Sequence, residues 1–349
     1  MLQNQRQALQ SASLLTSCAG RGYALHGAEG FYPKWWISSG SFWDVDFYSY
    51  PVNFCNMIKI VILGSGGAVP SPARSLPSIG MRYFGEVYLF DCGEGTQRQM
   101  MIYGLSYARV KMIFLTHLHA DHFLGIGGLM QTLKMNDRKE PLFIFGPDGT
   151  ERCILPIIAG NYPFQIYINE IDEKFCLKNE RFSISAFKTH HNVRSLGYVF
   201  KENDSWNFNK EKAERLGIKG RMFGKLEREG EIVIGKKRVK LEDVTTPKKG
   251  KKVVYTGDTV PSQEVVAASK EADLLIHDGT FSEEHAGEAK EKCHSTVSQA
   301  AEVAKKAKVK KLILVHISNR YKDASALEKE ARKIFKNSHV GFDGMELYV

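Results

Sequence analysis

Nine consecutive residues, Phe114-Leu115-Thr116-His117-Leu118-His119-Ala120-Asp121-His122, constrain this chain more than any other stretch. The largely apolar run from Val110 to Leu115 predicts a buried strand leading into them. Side chains of an extended segment alternate with period two, so His117 and His119 share a face. A turn into a helix directly afterwards brings Asp121 and His122 round to the same space. Imidazole and carboxylate are the donors that hold borderline divalent ions such as zinc. A solvated loop that happens to be rich in histidine is the plainer reading, but it leaves four such donors within six residues unexplained.

From Met57 onward, predicted strands and helices alternate. Strands are expected at Ile58–Leu63, Gly85–Asp91, Leu142–Phe145, Phe182–Phe187, Val253–Thr256, Leu274–His277 and Leu312–Val315. Helices are expected at about Thr96–Tyr103, Leu124–Leu133, Val297–Lys306 and Ser325–Lys336. The turn Gly64-Ser65-Gly66-Gly67 lacks the G-x-G-x-x-G spacing of a dinucleotide site. Pro70, Pro72 and Pro77 follow it in place of a helix.

Five strand ends carry Asp91, His117, Asp258, Asp278 and His316. In a layered α/β protein, ligands collect at strand ends along one edge, where loops vary without disturbing the core. A single aspartate after a strand is ordinarily a helix cap. Several such ends beside a dense histidine cluster point to a metal centre instead. The candidate ligands His117, His119, Asp121, His122, His191, Asp258 and His316 are too many for one tetrahedral ion and suit two, with Asp258 between them. Two metals roughly 3.5–4 Å apart activate water and steady the attacking and leaving oxygens of a phosphoryl displacement. Hydrolysis is the natural reaction class.

The chain has 349 residues and no run of about 18 apolar residues, which excludes a membrane-spanning helix. Its formal net charge is +9, and between Lys201 and Lys252 stand 16 Lys/Arg against nine Asp/Glu. So local an excess points to a polyanionic partner met at one place, the alternative being a solvated charged loop. The six cysteines Cys18, Cys55, Cys92, Cys153, Cys176 and Cys293 form no C-x-x-C pair, arguing against a zinc ribbon or a disulfide scaffold. A reducing cytoplasm fits best. Residues 1–56 lack a sustained period and carry no acidic residue up to Ala28, in the manner of a transit peptide. They are expected to be a poorly ordered extension, with the compact protein starting at Met57.

The run His117 to His122, with Asp91, His191, Asp258 and His316 in order, resembles the metallo-β-lactamase superfamily. The closer likeness is to the ribonuclease Z family of tRNA 3′-processing endonucleases, over nearly all of residues 57–349. Asp91-Cys92-Gly93-Glu94-Gly95-Thr96-Gln97 is similar to that family's first motif. Asp278-Gly279-Thr280 and His294-Ser295-Thr296 resemble its substrate-contact loops, and His316 with Ser318, Arg320 and Tyr321 its last ligand motif.

The resemblance implies an α/β fold, a four-layer αββα sandwich with an inserted flexible arm. It implies two Zn2+ per subunit, with Mn2+ or Fe2+ able to use the same donors. One ion falls to His117, His119, His191 and Asp258, and the other to Asp121, His122, Asp258 and His316. His191 is preferred to His190 because Gly197-Tyr198 follows it at the family's spacing. Asp121 would also accept the proton of the attacking water, and His294, oriented by Asp278, would contact the scissile phosphate. Asp91 would stand behind a ligand imidazole. The basic arm at about residues 200–230, with Lys210, Lys212, Arg215, Lys219, Arg221, Lys225 and Arg228, would grip tRNA from the partner subunit of a homodimer. The implied reaction is removal of the 3′ trailer from precursor tRNA, leaving a 3′-hydroxyl, with no DNA or membrane partner.

Two positions depart from the family pattern. The loop Pro70 to Ser75 lacks the lysine and asparagine often found there, and Asp278 stands where glutamate is usual. Two rival readings stay in play. A thioesterase or small phosphodiesterase on the same fold would need neither the basic arm nor the His-Ser-Thr loop. A non-catalytic RNA-binding subunit would have lost ligands.

Overall fold

Alternation along Lys59–Gly64 sends Ile60 and Ile62 to one face and Val61 and Leu63 to the other, and all four are fully buried. A strand buried on both faces must lie between two layers. The computed structural model describes residues 57–349 and, before them, the backbone of a short strand at Gly22–Ala24. Expectations for the rest of residues 1–56, Cys18 and Cys55 included, lie outside the described residues.

Two sheets stack face to face. The first runs in the order Gly22–Ala24, Ile166–Glu170, Leu142–Gly146, Val110–Phe114, Glu86–Phe90, Ser78–Tyr83, Lys59–Gly64, Glu346–Tyr348. The second runs Ser338–Val340, Leu312–Val315, Leu274–Asp278, Lys252–Tyr255, Leu196–Glu202, Phe182–Lys188, Cys176–Lys178. Ile60, Phe90 and Phe114 of the first sheet meet Tyr198, Tyr255 and Ile276 of the second in the central core. There Phe114 lies 5.3 Å from Tyr198, centroid to centroid. Full burial of side chains this size contributes ~1.5–3 kcal/mol each.

The outer face of the first sheet, through Leu89 and Ile113, is covered by helices Thr96–Ile102 and Gly125–Met135. That of the second is covered by Gln263–Ser269, Val297–Ala307 and Ser325–Ile334. The result is the expected helix–sheet–sheet–helix sandwich.

Parallel pairing places the site. Glu86–Phe90 and Val110–Phe114 run parallel, so Asp91 and the His117 segment leave the first sheet at one edge. Lys252–Tyr255, Leu274–Asp278 and Leu312–Val315 are also mutually parallel, and Asp258, Asp278 and His316 leave the second sheet together.

After Glu202 the second sheet is interrupted. Ser205–Phe208 pairs with Thr245–Lys248 at the neck of an insertion that also holds helices Lys210–Arg215 and Met222–Glu229 and the hairpin Glu231–Ile234/Lys237–Lys240. Ala213, Ile218, Leu226, Ile232, Val239, Leu241 and Val244 form its own small core. These limits differ from the 200–230 read in the sequence, for two reasons. Phe200 belongs to the central core, stacked 5.0 Å from Phe182. The hairpin supplies Ile232 and Val239, without which the two helices would have little to bury. Lys210, Lys212, Arg215, Lys219, Arg221, Lys225 and Arg228 are all exposed on this insertion.

Candidate metal centre

Beyond Phe114 the chain bends at Thr116 and is extended again at His119, whose φ of −75° and ψ of 143° lead into the single helical turn Ala120–Phe123. That strand-to-helix change gathers the donors. His119 Nδ1 lies 3.0 Å from His117 Nε2 and 3.2 Å from His191 Nε2. Asp258 Oδ2 stands 3.7 Å from His117 Nε2, 3.3 Å from His122 Nε2 and 3.1 Å from His316 Nε2. Asp121 Oδ2 is 3.7 Å from His122 Nε2 and 3.6 Å from His316 Nε2. All seven sequence candidates therefore lie together, as one group of His117, His119, His191 and Asp258 and another of Asp121, His122 and His316. His190 turns away, 3.4 Å from Glu264 at the surface.

Hydrogen-bond partners assign the ring tautomers. Asp91, fully buried with a φ of 59°, accepts from Thr116 N at 2.8 Å, Thr116 Oγ1 at 2.9 Å and Tyr255 OH at 2.8 Å. It also accepts from His122 Nδ1 at 2.8 Å. With its one proton donated to Asp91, Thr116 Oγ1 accepts from His117 Nδ1 at 3.0 Å. Thr280 Oγ1 donates to Asp278 Oδ1 at 2.6 Å and accepts from His316 Nδ1 at 2.8 Å. His191 Nδ1 donates to Cys293 O at 2.9 Å. In each of these four rings Nδ1 carries the proton and a bare Nε2 faces the cluster.

This arrangement supplies a test of fit for a metal. His122 Nε2 and His316 Nε2 are buried without a hydrogen-bond partner, and an unsatisfied buried polar group costs about 1–3 kcal/mol. Lone pairs face lone pairs and carboxylates across a gap of ångströms, which only a cation makes favourable. Ligands about 2.1 Å from a tetrahedral ion lie roughly 3.4 Å from one another, close to the spacings found. The donor set fits a divalent metal, and the fold with these His/Asp groups supports a metal cofactor.

The electrostatics show how strongly the cluster calls for a cation. At His122 burial would lower the pKa, but Asp258 and Asp91 outweigh it and raise it well above the usual range, so without a metal its Nε2 draws a proton that a metal would displace. Burial and the neighbouring His122 imidazole hold His117 well below its usual range, in the neutral form a ligand needs. At Asp121 and Asp258 burial would raise the carboxyl, but the surrounding imidazoles outweigh it and keep both ionised.

His294 follows Cys293, whose left-handed φ of 57° aims its carbonyl at His191 and the next side chain at the cluster. Its Nδ1 is 2.8 Å from Asp278 Oδ2, so the shorter carboxylate does span the distance. The ring stacks on His316 at 4.8 Å. Burial would lower its pKa, but the charge and hydrogen bond of Asp278 raise it to about 9. Asp258, His294 and His316 form a third grouping of ligand-type atoms.

Sequence reasoning passed over Thr116, Thr280 and Tyr255 because none is a ligand type. The first two could have been found from their places, directly before His117 and two residues after Asp278; Tyr255 left no signal.

Among the described residues no helix is long and apolar enough to cross a membrane. A family model described as beta-lactamase superfamily domain matches residues 243–317, and one for the anti-Pycsar protein Apyc1 matches residues 58–152. Ribonuclease Z of Methanosarcina mazei is 42% identical over 300 residues, covering 84% of this chain and 98% of the relative. Ribonuclease Z of Archaeoglobus fulgidus is 44% identical over 301 residues, with the same two coverages. The crystal structure of the short form of human tRNase Z matches at a TM-score of 0.59 and 28% identity, over 83% of this chain and 98% of that one. The metallo-beta-lactamase fold protein YhfI from Bacillus subtilis matches at a TM-score of 0.63 and 19% identity, over 84% and 100%, and speaks to the fold alone. With long relatives above 40% identity and the fold in agreement, this chain belongs to the ribonuclease Z family.

Proposed function

We propose that this chain is a metal-dependent endoribonuclease that removes the 3′ trailer from precursor tRNA and leaves a 3′-hydroxyl on the tRNA. The observation that carries this reading is the convergence of bare imidazole nitrogens and ionised carboxylates beside a protonated His294. The cofactor is two zinc ions per subunit. His117, His119, His191 and Asp258 would hold one, and Asp121, His122, Asp258 and His316 the other; manganese or iron could use the same donors. Such a pair supplies a water of lowered pKa and draws charge from the phosphodiester oxygens.

The chain's own residues do the rest. Asp121 accepts the water's proton, its Oδ2 steadied by the backbone N–H of Ala68 at 2.9 Å. As oxygen adds to phosphorus, the bond from phosphorus to the tRNA 3′ oxygen breaks. His294, held at Nδ1 by Asp278, presents Nε2–H to that leaving oxygen. Asp91 stands behind His122 and, through Thr116, behind His117.

Residues 57–349 form the nuclease unit and the preceding 56 an extension, whose strand Gly22–Ala24 joins the edge of the first sheet beside Ile166–Glu170. Lys210, Lys212, Arg215, Lys219, Arg221, Lys225 and Arg228 contact tRNA phosphates, which supplies affinity without reading sequence and suits a grip on folded RNA. Family likeness supports a homodimer whose arm reaches tRNA held by the partner subunit. Cys92, Cys153, Cys176 and Cys293 are free, in keeping with the cytoplasm.

The decisive experiment incubates purified protein with a 3′-extended tRNA transcript, with and without chelator, and maps the ends. Metal-dependent cleavage at the trailer is expected. Hydrolysis of a small phosphodiester or thioester with the transcript left whole would favour the rival hydrolases. Changing these seven of the insertion's cations to glutamine should weaken tRNA binding and flatten its salt dependence, by roughly 0.7–0.9 in log–log slope for each phosphate no longer neutralised. Unchanged affinity would remove these seven residues from tRNA recognition.

A further inference from the structure

The glycine turn Gly64-Ser65-Gly66-Gly67 begins a loop that folds back on itself, Gly66 N donating to Ser75 O at 3.0 Å. One side of this loop faces the metal centre. Ala68, with a φ of 61°, donates its N–H to Asp121 Oδ2 at 2.9 Å. A Cβ at Gly67 would stand 2.3 Å from His316 Cε1, so glycine lets the backbone lie flat against a ligand ring. Asn319 Nδ2 donates to Val69 O beside it.

The opposite side is gathered by one carboxylate from the far end of the chain. Asp343 Oδ1 accepts from Ser65 N at 2.9 Å and Ser65 Oγ at 2.7 Å. Its Oδ2 accepts from Ser75 N at 2.7 Å and Gln99 Nε2 at 3.0 Å. Both feet of the loop, Ser65 and Ser75, thus end on a single side chain. Arg74 Nη1 closes the arrangement with donations to Ser65 Oγ and Gly341 O, each at 2.7 Å.

We propose that Asp343 is a positioning residue for the metal centre: by fixing both feet of the loop it sets the Ala68 N–H on Asp121 and the Gly67 backbone on His316. The inference rests on the metal-centre reading above. Partners that orient a ligand affect metal affinity by roughly 10–100-fold, and Asp343 is such a partner at one remove.

The probe is Asp343→Asn in the full chain. An amide keeps the shape but turns an NH2 group toward donors, so one foot is released. Zn2+ affinity is read by competition with a fluorescent chelator, and kcat and KM are read on precursor tRNA. Arg138→Met is the control. It removes hydrogen bonds to Ala108 O, Glu140 O and Pro141 O away from the site, and so lowers melting temperature alone. Asp343→Asn should weaken the more loosely held Zn2+ by roughly 10–100-fold. It should lower kcat with it and leave KM within about twofold, because the insertion is untouched. In an Asp121→Ala background its further effect on Zn2+ should shrink, because only the Gly67 contact with His316 is left for it to act through.

Should Asp343→Asn fail to fold, Ser65→Ala removes one of its four donors and should give a smaller loss in the same direction. An Asp343→Asn protein that melts early like the control but binds Zn2+ like wild type would overturn the proposal. So would an undiminished further loss in the Asp121→Ala background. A wild-type chain that takes up no Zn2+ would overturn the metal-centre reading, and the proposal with it.

Discussion

Asp91 and Asp278 occupy matching places in the two sheets. Each is fully buried at the end of a parallel strand and accepts a threonine hydroxyl, Thr116 or Thr280, which in turn accepts from a ligand-type imidazole. Each also holds a second imidazole directly, His122 or His294. The second imidazole separates them. Both rings have their pKa raised by the carboxylate they meet, but His122 has no exposed side-chain surface and turns Nε2 into the cluster, whereas the His294 side chain is 12% exposed and can offer its proton outward. Asp91 also receives Tyr255 OH, which closes that end of the site. One hydrogen-bonding device serves two purposes: sealed, it fixes ligand tautomers; left open on one side, it holds an acid ready for substrate.

The comparison is sharpened most by His294→Ala. Activity on precursor tRNA should fall by roughly 10²–10⁴-fold in kcat, with Zn2+ affinity unchanged by chelator competition. A parallel loss of Zn2+ would make His294 a ligand and erase the difference between the two sites. Asp91→Asn should act the other way round. Its amide would face a donor at His122, turn that ring's proton toward the cluster and weaken Zn2+ by roughly 10–100-fold. Wild-type Zn2+ affinity in that variant would break the likeness.

The threonines give the smallest effects. Thr116→Val and Thr280→Val each strand a buried imidazole N–H, which costs about 1–3 kcal/mol and is read as a lower melting temperature. Only Thr280→Val should also change kcat beyond its effect on metal, because Thr280 Oγ1 lies 3.3 Å from His294 Nδ1 as well. Identical kinetic profiles for the two variants would count against separate roles.

Much of the fold was legible because burial leaves a local record. Ile60 and Val61 face opposite ways in a strand that is apolar from Ile60 to Leu63, and that pattern already demands a layer on each side. The limits of the insertion were less legible. Phe200 looks like part of the basic segment until Phe182 is found stacked on it, and Ile232 and Val239 have no visible reason to join the helices before them. At the site, residue type alone singled out His117, His119, Asp121 and His122. Choosing His191 over His190 took a family spacing, which the geometry then placed 3.2 Å from His119 Nδ1. Tyr255 could not have been chosen, since its hydroxyl reaches Asp91 across 164 positions of sequence.

Which atoms can bind a divalent cation, and that they stand at strand ends, followed from the order of residues, because ligand chemistry belongs to the side chain and strand periodicity to its neighbours. Which nitrogen of each ring is bare, and that Asp343 ties a loop beside Asp121, was decided only by the folded chain. A hydrogen bond assigns donor and acceptor between whatever the fold brings within about 3 Å, and Asp343 meets Ser65 from 278 positions away.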